Sequence, residues 1–183
     1  SFYEEMTNVP FIIAGPGIHP RQKPVEDLLT QPTIDLLPTL CELAGIPVPS
    51  SKPGISRAPF LKGEKQKRQH PYAASEWHSE YEVTVSPGRM IRSPRYKYTH
   101  YLEGNGEELY DMLKDKGERR NLAHDPKYSK ILAEHRALLD DYIRRTQDDY
   151  RSLKVEADKR WRSHAPGYPN HEGPCARDII NRK

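Results

Sequence analysis

AASEWHSEYEVTVSPGRMIRSPRYKYTHYLEGNGEELYDM, which runs from Ala73 to Met112, reads as three strands joined by two turns. Arg89-Met90-Ile91-Arg92 stops at Ser93-Pro94, and Arg95 to Leu102 alternates long polar with aromatic side chains. Glu103-Gly104-Asn105-Gly106 supplies a Gly/Asn turn before Glu108-Leu109-Tyr110-Asp111. A small antiparallel sheet follows. In front of it lies a polar loop, Glu76 to Glu82, in which Trp77, His78, Glu80 and Tyr81 crowd together. Loops on a rigid sheet are where binding groups collect, although a polar loop with an aromatic anchor has the same composition.

Downstream of the sheet, Asp125-Pro126 has the form of a helix start, a capping carboxylate followed by proline at the first helical position. Tyr128, Ile131, Leu132, His135, Leu138, Leu139, Tyr142 and Ile143 then recur at helical steps, a stripe to lay on the sheet. The pattern predicts one long helix ending near Leu153. Upstream, Val9 to Ala14 reads as a strand buried on both faces of a parallel sheet, which needs neighbours to pair with. Thr30 to Leu43 reads as a helix that turns Ile34, Leu37, Leu40, Cys41 and Ala44 inward, with a bend at Pro38 and a close at Gly45. Pro47 to Gly54 is a linker by composition, Lys62 to His70 a solvated charged loop, and Trp161 to Lys183 has no period.

The chain is 35% hydrophobic and 30% charged, which is thin for a self-sufficient core and suggests part of something larger. Its 29 basic and 26 acidic residues mix both signs, unlike the polycation a nucleic-acid binder presents. No apolar run approaches the roughly 18 residues of a membrane span. Cys41 and Cys175 show no metal-ligand spacing, and Cys41 reads as buried helix packing. His70, His100, His124, His135, His164 and His171 form no metal motif and read as surface or stripe residues.

The pattern R-x-x-R-x-x-x-Y-K-Y-x-x-Y from Arg89 to Tyr101, followed by E-L-Y-D-M-x-x-D-x-x-E-x-x-N-L-A from Glu108 to Ala123, resembles the C-terminal subdomain of the type I sulfatases. Phe2-Tyr3-Glu4-Glu5 with Val9 to Gly17 is similar to the strand after that family's catalytic lysine, and Thr33 to Ile46 is similar to the next helix. The three segments stand in family order. Glu82-Val83-Thr84-Val85 with Pro87 and Arg89 looks most like heparan N-sulfatases and related glycan sulfatases.

The resemblance implies an α+β portion of an α/β, alkaline-phosphatase-like sulfatase fold, with an antiparallel sheet of about four strands packed on one long helix. Residues 1–62 would end the large catalytic domain, 63–160 would form the C-terminal subdomain, and 161–183 an irregular tail. The family's nucleophile is a formylglycine made from Cys or Ser in C/S-x-P-x-R, and a calcium ion neutralises the sulfate oxygens. Neither cysteine here is followed by x-Pro-x-Arg, so the nucleophile, the Ca2+ ligands and the N-terminal half of the same enzyme are expected outside this chain. The chain by itself is then expected to be inactive, with no catalytic or metal residues of its own.

What the resemblance leaves to this chain is substrate recognition. The loop reaches the pocket in that family, so Trp77, His78 and Glu80 would touch a sulfated glycan, and Arg89 would pair with a carboxylate or second sulfate. Residues three apart on a strand point to opposite faces, so Arg89 and Arg92 do not both face a pocket. Asp111, Asp115 and Glu118 read as turn and capping carboxylates. Glycosaminoglycan fragments of heparan type are the expected substrates, glucosamine N-sulfate foremost. The rival reading is a non-catalytic module that binds a carbohydrate or polyanion. No N-x-S/T sequence follows any asparagine, which favours a bacterial exported, periplasmic or extracellular enzyme over a lysosomal one.

Overall fold

A computed structural model describes residues 2–20, 25, 28–66, 69–77, 87–102 and 106–152. Its centre is the four-stranded antiparallel sheet that the motifs imply, with β1 at Ala73–Trp77, β2 at Gly88–Arg92, β3 at Tyr96–Tyr101 and β4 at Gly106–Asp111. The strands lie in chain order, β1-β2-β3-β4. Ser93 stops β2 and turns the chain, its N–H and side chain both bonding the Tyr96 carbonyl. The first strand adds to the sequence reading: Glu76 and Trp77 close β1 and do not belong to the loop.

Register sorts the side chains. Ile91 lies opposite Tyr98 and Tyr98 opposite Leu109, so these three share one face. On that face sits α4, Ser129–Thr146. It begins as the sequence indicates, with a 3₁₀ turn at Pro126–Tyr128 whose Lys127 N–H is capped by the Asp125 carboxylate at 3.1 Å. Leu132 and Leu139 are buried against Tyr72, Ile91, Tyr98, Leu109 and Leu122, with Ile131, Leu138, Tyr142 and Ile143 partly buried around them. His135 belongs to the stripe too: buried, with its ring nitrogens 2.8 Å from the Ile131 carbonyl and 2.9 Å from the Ser93 hydroxyl.

Leu139→Ala should accordingly cost about 2 to 4 kcal/mol, since the surrounding helix and sheet cannot collapse into the gap. Lys130→Ala, exposed on the same helix, should change stability by less than about 0.5 kcal/mol. Urea unfolding measures both, and equal shifts would mean that the stripe does not hold the helix.

The helix stops at Thr146, short of Leu153. Gln147 takes a left-handed conformation with φ +55°, which ends the hydrogen-bond ladder and turns Asp148 back toward the sheet.

The opposite face of the sheet receives the start of the chain. α1, Glu4–Thr7, lies beside Lys97, and the Phe2 ring sits so close to Gly88 that a Cβ there would come within 2.7 Å of it. Glu118, read as a turn carboxylate, is a buried bridge instead: it accepts the Glu4 N–H at 2.6 Å and pairs with Lys97 at 2.9 Å. Val9 to Ala14 forms no strand; with no neighbouring strand to pair with, it has no regular secondary structure, and Val9 is 55% and Ile12 86% exposed.

α2, Pro32–Leu43, exists as expected but turned otherwise. Its buried residues are Asp35, Pro38 and Thr39, while Leu36, Leu37 and Leu40 face outward. The physical cause is the neighbour it meets. The segment Ile55 to Arg57, which leads into the short α3, Ala58–Leu61, presents backbone N–H groups and a guanidinium, which Asp35 and Thr39 satisfy. Cys41 is only half-buried, at the margin of that contact.

A carboxamide meets each edge strand of the sheet. The Gln31 side chain accepts the Ala74 N–H of β1 at 2.9 Å. On β4, Asn121 accepts the Leu109 N–H at 3.0 Å and donates to the Glu107 carbonyl at 2.9 Å, while the Leu122 N–H takes the Leu109 carbonyl. This is what the N-L-A motif does. Among the described residues no helix is long and apolar enough to cross a membrane.

Candidate functional site

The candidate site lies where β1 and β2 open toward the loop between them. Trp77 is opposite Gly88 in the last pair of that ladder and is 39% exposed. His78 and Glu80 lie outside the described residues. Trp77 thus marks where the loop leaves the sheet.

Beneath this opening Arg89 is buried and anchored. Its Nε and Nη2 form a two-pronged pair with Asp148 at 2.6 and 2.8 Å, and its Nη1 donates to the carbonyls of Trp77 at 3.2 Å and Gly88 at 2.9 Å. The guanidinium carbon stands 4.4 Å from the centre of the Tyr150 ring. Burial opposes the charge on Arg89, yet the bonds and attraction of Asp148 outweigh it and raise its pKa. The expectation that Arg89 pairs with a carboxylate of the glycan therefore meets a different arrangement. Its carboxylate is the protein's own, and all three of its nitrogens are bonded within the chain.

Tyr150 completes the cluster. Fully buried, its hydroxyl donates to the His100 carbonyl at 2.8 Å, lies 2.8 Å from His100 Nδ1, and is 3.4 Å from the Pro87 carbonyl. Burial pushes its pKa up to about 12, against the opposing charge of Arg89. Asp148 also accepts the Tyr150 N–H at 3.0 Å. Neither Asp148 nor Tyr150 stands out from sequence, and His100, read there as a surface or stripe residue, lies instead on β3 against the Tyr150 ring. The available signal was the Asp148-Asp149-Tyr150 run at the point where the apolar stripe stops.

Two further polar clusters lie apart from the opening. Asp35, wholly buried, accepts from Gln31 N at 3.0 Å, Ile55 N at 2.8 Å and Arg57 Nη2 at 3.0 Å, with His70 Nε2 at 2.7 Å. His70 is therefore an interior group and not a surface one. On the far face, Lys97 joins Glu4 and Glu118. Arg92 points to that face, 3.9 Å from Glu4, so it and Arg89 do diverge.

A calcium ion needs six to eight oxygen ligands held together. Among the described residues no three His, Cys, Asp or Glu side chains come together in a way that would hold a metal. The buried carboxylates of Asp35 and Glu118 are instead bonded to N–H groups and cations. These residues do not fit the metal centre that the resemblance implies.

Comparison with known proteins gives this arrangement its context. The family described as N-sulphoglucosamine sulphohydrolase, C-terminal, matches residues 1–145. A Delta 4,5-hexuronate-2-O-sulfatase of Bacteroides thetaiotaomicron is 76% identical over all 183 residues, which correspond to 38% of that protein's length. A solved 2-O GAG sulfatase superposes with a TM-score of 0.84 at 76% identity, covering 98% of this chain and 39% of the other. A structure in complex with its substrate, D-glucosamine-2-N,6-O-disulfate, superposes with a TM-score of 0.57 at 25% identity, covering 64% of this chain and 25% of the other. The chain thus spans about two fifths of the length of its near relatives.

Proposed function

Because the chain belongs to the sulfatases, through their N-sulphoglucosamine sulphohydrolase C-terminal family, we propose that it forms the substrate-recognising C-terminal part of an enzyme that removes 2-O-sulfate from an unsaturated hexuronate in glycosaminoglycan fragments. The observation that carries this reading is the 76% identity to a Delta 4,5-hexuronate-2-O-sulfatase over the whole chain. It favours uronate 2-O-sulfate over the glucosamine N-sulfate that the sequence pattern suggested. The formylglycine nucleophile and the calcium ion would come from elsewhere in the longer protein, and with them the attack on sulfur. We further propose that the enzyme is exported, to the periplasm or beyond.

Within that enzyme the Trp77 indole covers an apolar sugar face, and His78 and Glu80 bond sugar hydroxyls. These contacts lie away from the sulfur, so they select the sugar and not the reaction. The rival reading, an independent carbohydrate- or polyanion-binding module, is disfavoured by the exposed Val9 and Ile12 of the irregular segment Val9 to Ala14 and by the outward leucines of α2. Such surfaces suit contact with a further domain.

The test uses the full-length protein and two substrates, a 2-O-sulfated unsaturated uronate disaccharide and a small aryl sulfate. Trp77→Ala and His78→Ala should each lower kcat/KM for the disaccharide by about 5- to 150-fold, corresponding to roughly 1 to 3 kcal/mol of lost contact. Aryl sulfate turnover should stay within about twofold, because it makes none of these contacts. An unchanged disaccharide rate for both variants would refute the assignment.

A further inference from the structure

We infer that the exposed basic segment Lys114 to Lys127, along the outer edge of β4, is a binding surface for a sulfated glycan chain; the choice of a sulfated chain over other polyanions rests on the reading above. Lys114, Lys116, Arg119, Arg120 and Lys127 are all exposed, five cations against three carboxylates in fourteen residues. The carboxylates are occupied within the fold. Glu118 is buried against Lys97 and the Glu4 N–H, Asp115 accepts the Arg120 N–H at 2.9 Å, and Asp125 caps Lys127 and pairs with Arg120, each at 3.1 Å. Among the described residues Lys114, Arg119 and Lys127 pair with no carboxylate. The surface therefore carries a local positive excess.

On α4 and just after it the charges are arranged otherwise. There Arg136 meets Glu107, Arg144 and Arg145 meet Asp141, and Arg151 meets Asp140, so basic and acidic groups offset one another. The basic segment is also held in one shape. The N–H groups of Lys114 and Asp115 both close on the Asp111 carbonyl, at 3.0 and 2.7 Å, Glu118 turns with φ +50°, and the Leu122 N–H joins Leu109 of β4 at 2.8 Å. With the backbone already fixed, only side chains remain to be ordered when a partner arrives. Two features select that partner. Guanidinium and ammonium groups suit sulfate, the guanidinium through its planar fork, and Leu113, 67% exposed beside Lys114, offers an apolar surface to a sugar ring. The segment lies across the sheet from Trp77 on β1, three strand spacings or roughly 14 Å away.

The experiment is calorimetric titration of the full-length protein with a heparin dodecasaccharide, its chemically desulfated form and a single-stranded DNA of equal charge, at two salt concentrations. Lys114→Gln with Arg119→Gln and Lys127→Gln should weaken heparin binding about tenfold, three exposed contacts of modest size each. Lys52→Gln with Lys62→Gln and Lys65→Gln removes the same charge from another exposed stretch and should change it by less than about twofold. Binding should weaken as salt rises, and less steeply in the first triple variant. If that variant unfolds, Lys114→Gln and Lys127→Gln are measured singly, with about a twofold loss expected from each. Equal effects of the two triple variants, no heparin binding by the unaltered protein, or equal affinity for the desulfated chain or the DNA would overturn the inference. If the disaccharide assay succeeds and the Lys114, Arg119 and Lys127 variants bind heparin normally, the inference fails and the functional reading stands. If the disaccharide assay fails while heparin binding still depends on these three residues, the functional reading falls and the surface remains.

Discussion

Asp35→Ala should destabilise the protein by about 3 to 5 kcal/mol, the range for breaking a buried ion pair from one side. The carboxylate serves four partners at once: two backbone N–H groups, the buried Arg57 and His70. Removing it takes the carboxylate from a buried guanidinium that keeps the Leu29 carbonyl at 2.6 Å, and leaves the Arg57 N–H on Thr39 to tie the segment Ile55 to Arg57 to α2. Asp35→Asn, which keeps the shape and loses the charge, should cost less. Burial by itself would raise the Asp35 carboxyl, but the hydrogen bonds of His70, Ile55 and Gln31 overcome this and hold it below the ordinary aspartate value. A lowered folded pKa means that the contribution is complete above the unfolded value of about 3.9 and is lost as pH falls through the folded one. Urea unfolding at neutral pH, repeated below pH 4, measures both effects. A loss under about 1 kcal/mol at neutral pH would show that Arg57 is held by its other partners.

Lys97→Ala is expected to cost a similar 3 to 5 kcal/mol, roughly, for the same reason with the signs reversed. The ammonium is almost wholly buried and meets Glu118 at 2.9 Å, Glu4 at 2.8 Å and the Phe2 carbonyl at 2.9 Å. Without it, two carboxylates face each other beneath α1. Glu108 already feels this neighbourhood: burial first, then the charge of Glu118, pushes its carboxyl up, and Lys97 works against both. Replacing the cluster by neutral groups, Lys97→Met with Glu118→Gln, should recover a large part of the loss, because desolvating charges offsets much of what their attraction provides. A double variant no more stable than Lys97→Ala would mean that the lysine acts through its carbonyl bond to Phe2 and not through charge. Thermal unfolding of the single and double variants decides between these.

The sheet and the long helix were legible because each repeats a local signal many times. Ser93-Pro94 and the Gly/Asn turn fix where β2 and β4 can begin and end, alternation fixes the faces, and the stripe from Tyr128 to Ile143 spans about four helical turns. What failed to show was anything decided by a distant partner. The apolar residues of α2 outnumber its polar ones, so the pattern points its leucines inward; only the arrival of Ile55 to Arg57 turns Asp35 and Thr39 to the inside. Glu118 looked like one more turn acid until Lys97 and the Glu4 N–H met it across the sheet. In the candidate site, Arg89 was recognisable as a cation awaiting an anion. The anion is Asp148, a helix away, and no local pattern connects them.

The two carboxamides on the sheet edges have a consequence for how this molecule keeps to itself. A row of free N–H and C=O groups on an outer strand invites another chain to add to it, the first step toward fibrils and strand-exchanged dimers. Gln31 blocks that row on β1 at Ala74, and Asn121 with Leu122 blocks it on β4 at Glu107 and Leu109. Because a carboxamide offers donor and acceptor together, Asn121 imitates the next strand on β4, while Gln31 takes up one N–H of β1, and each makes the addition of a fifth strand less favourable.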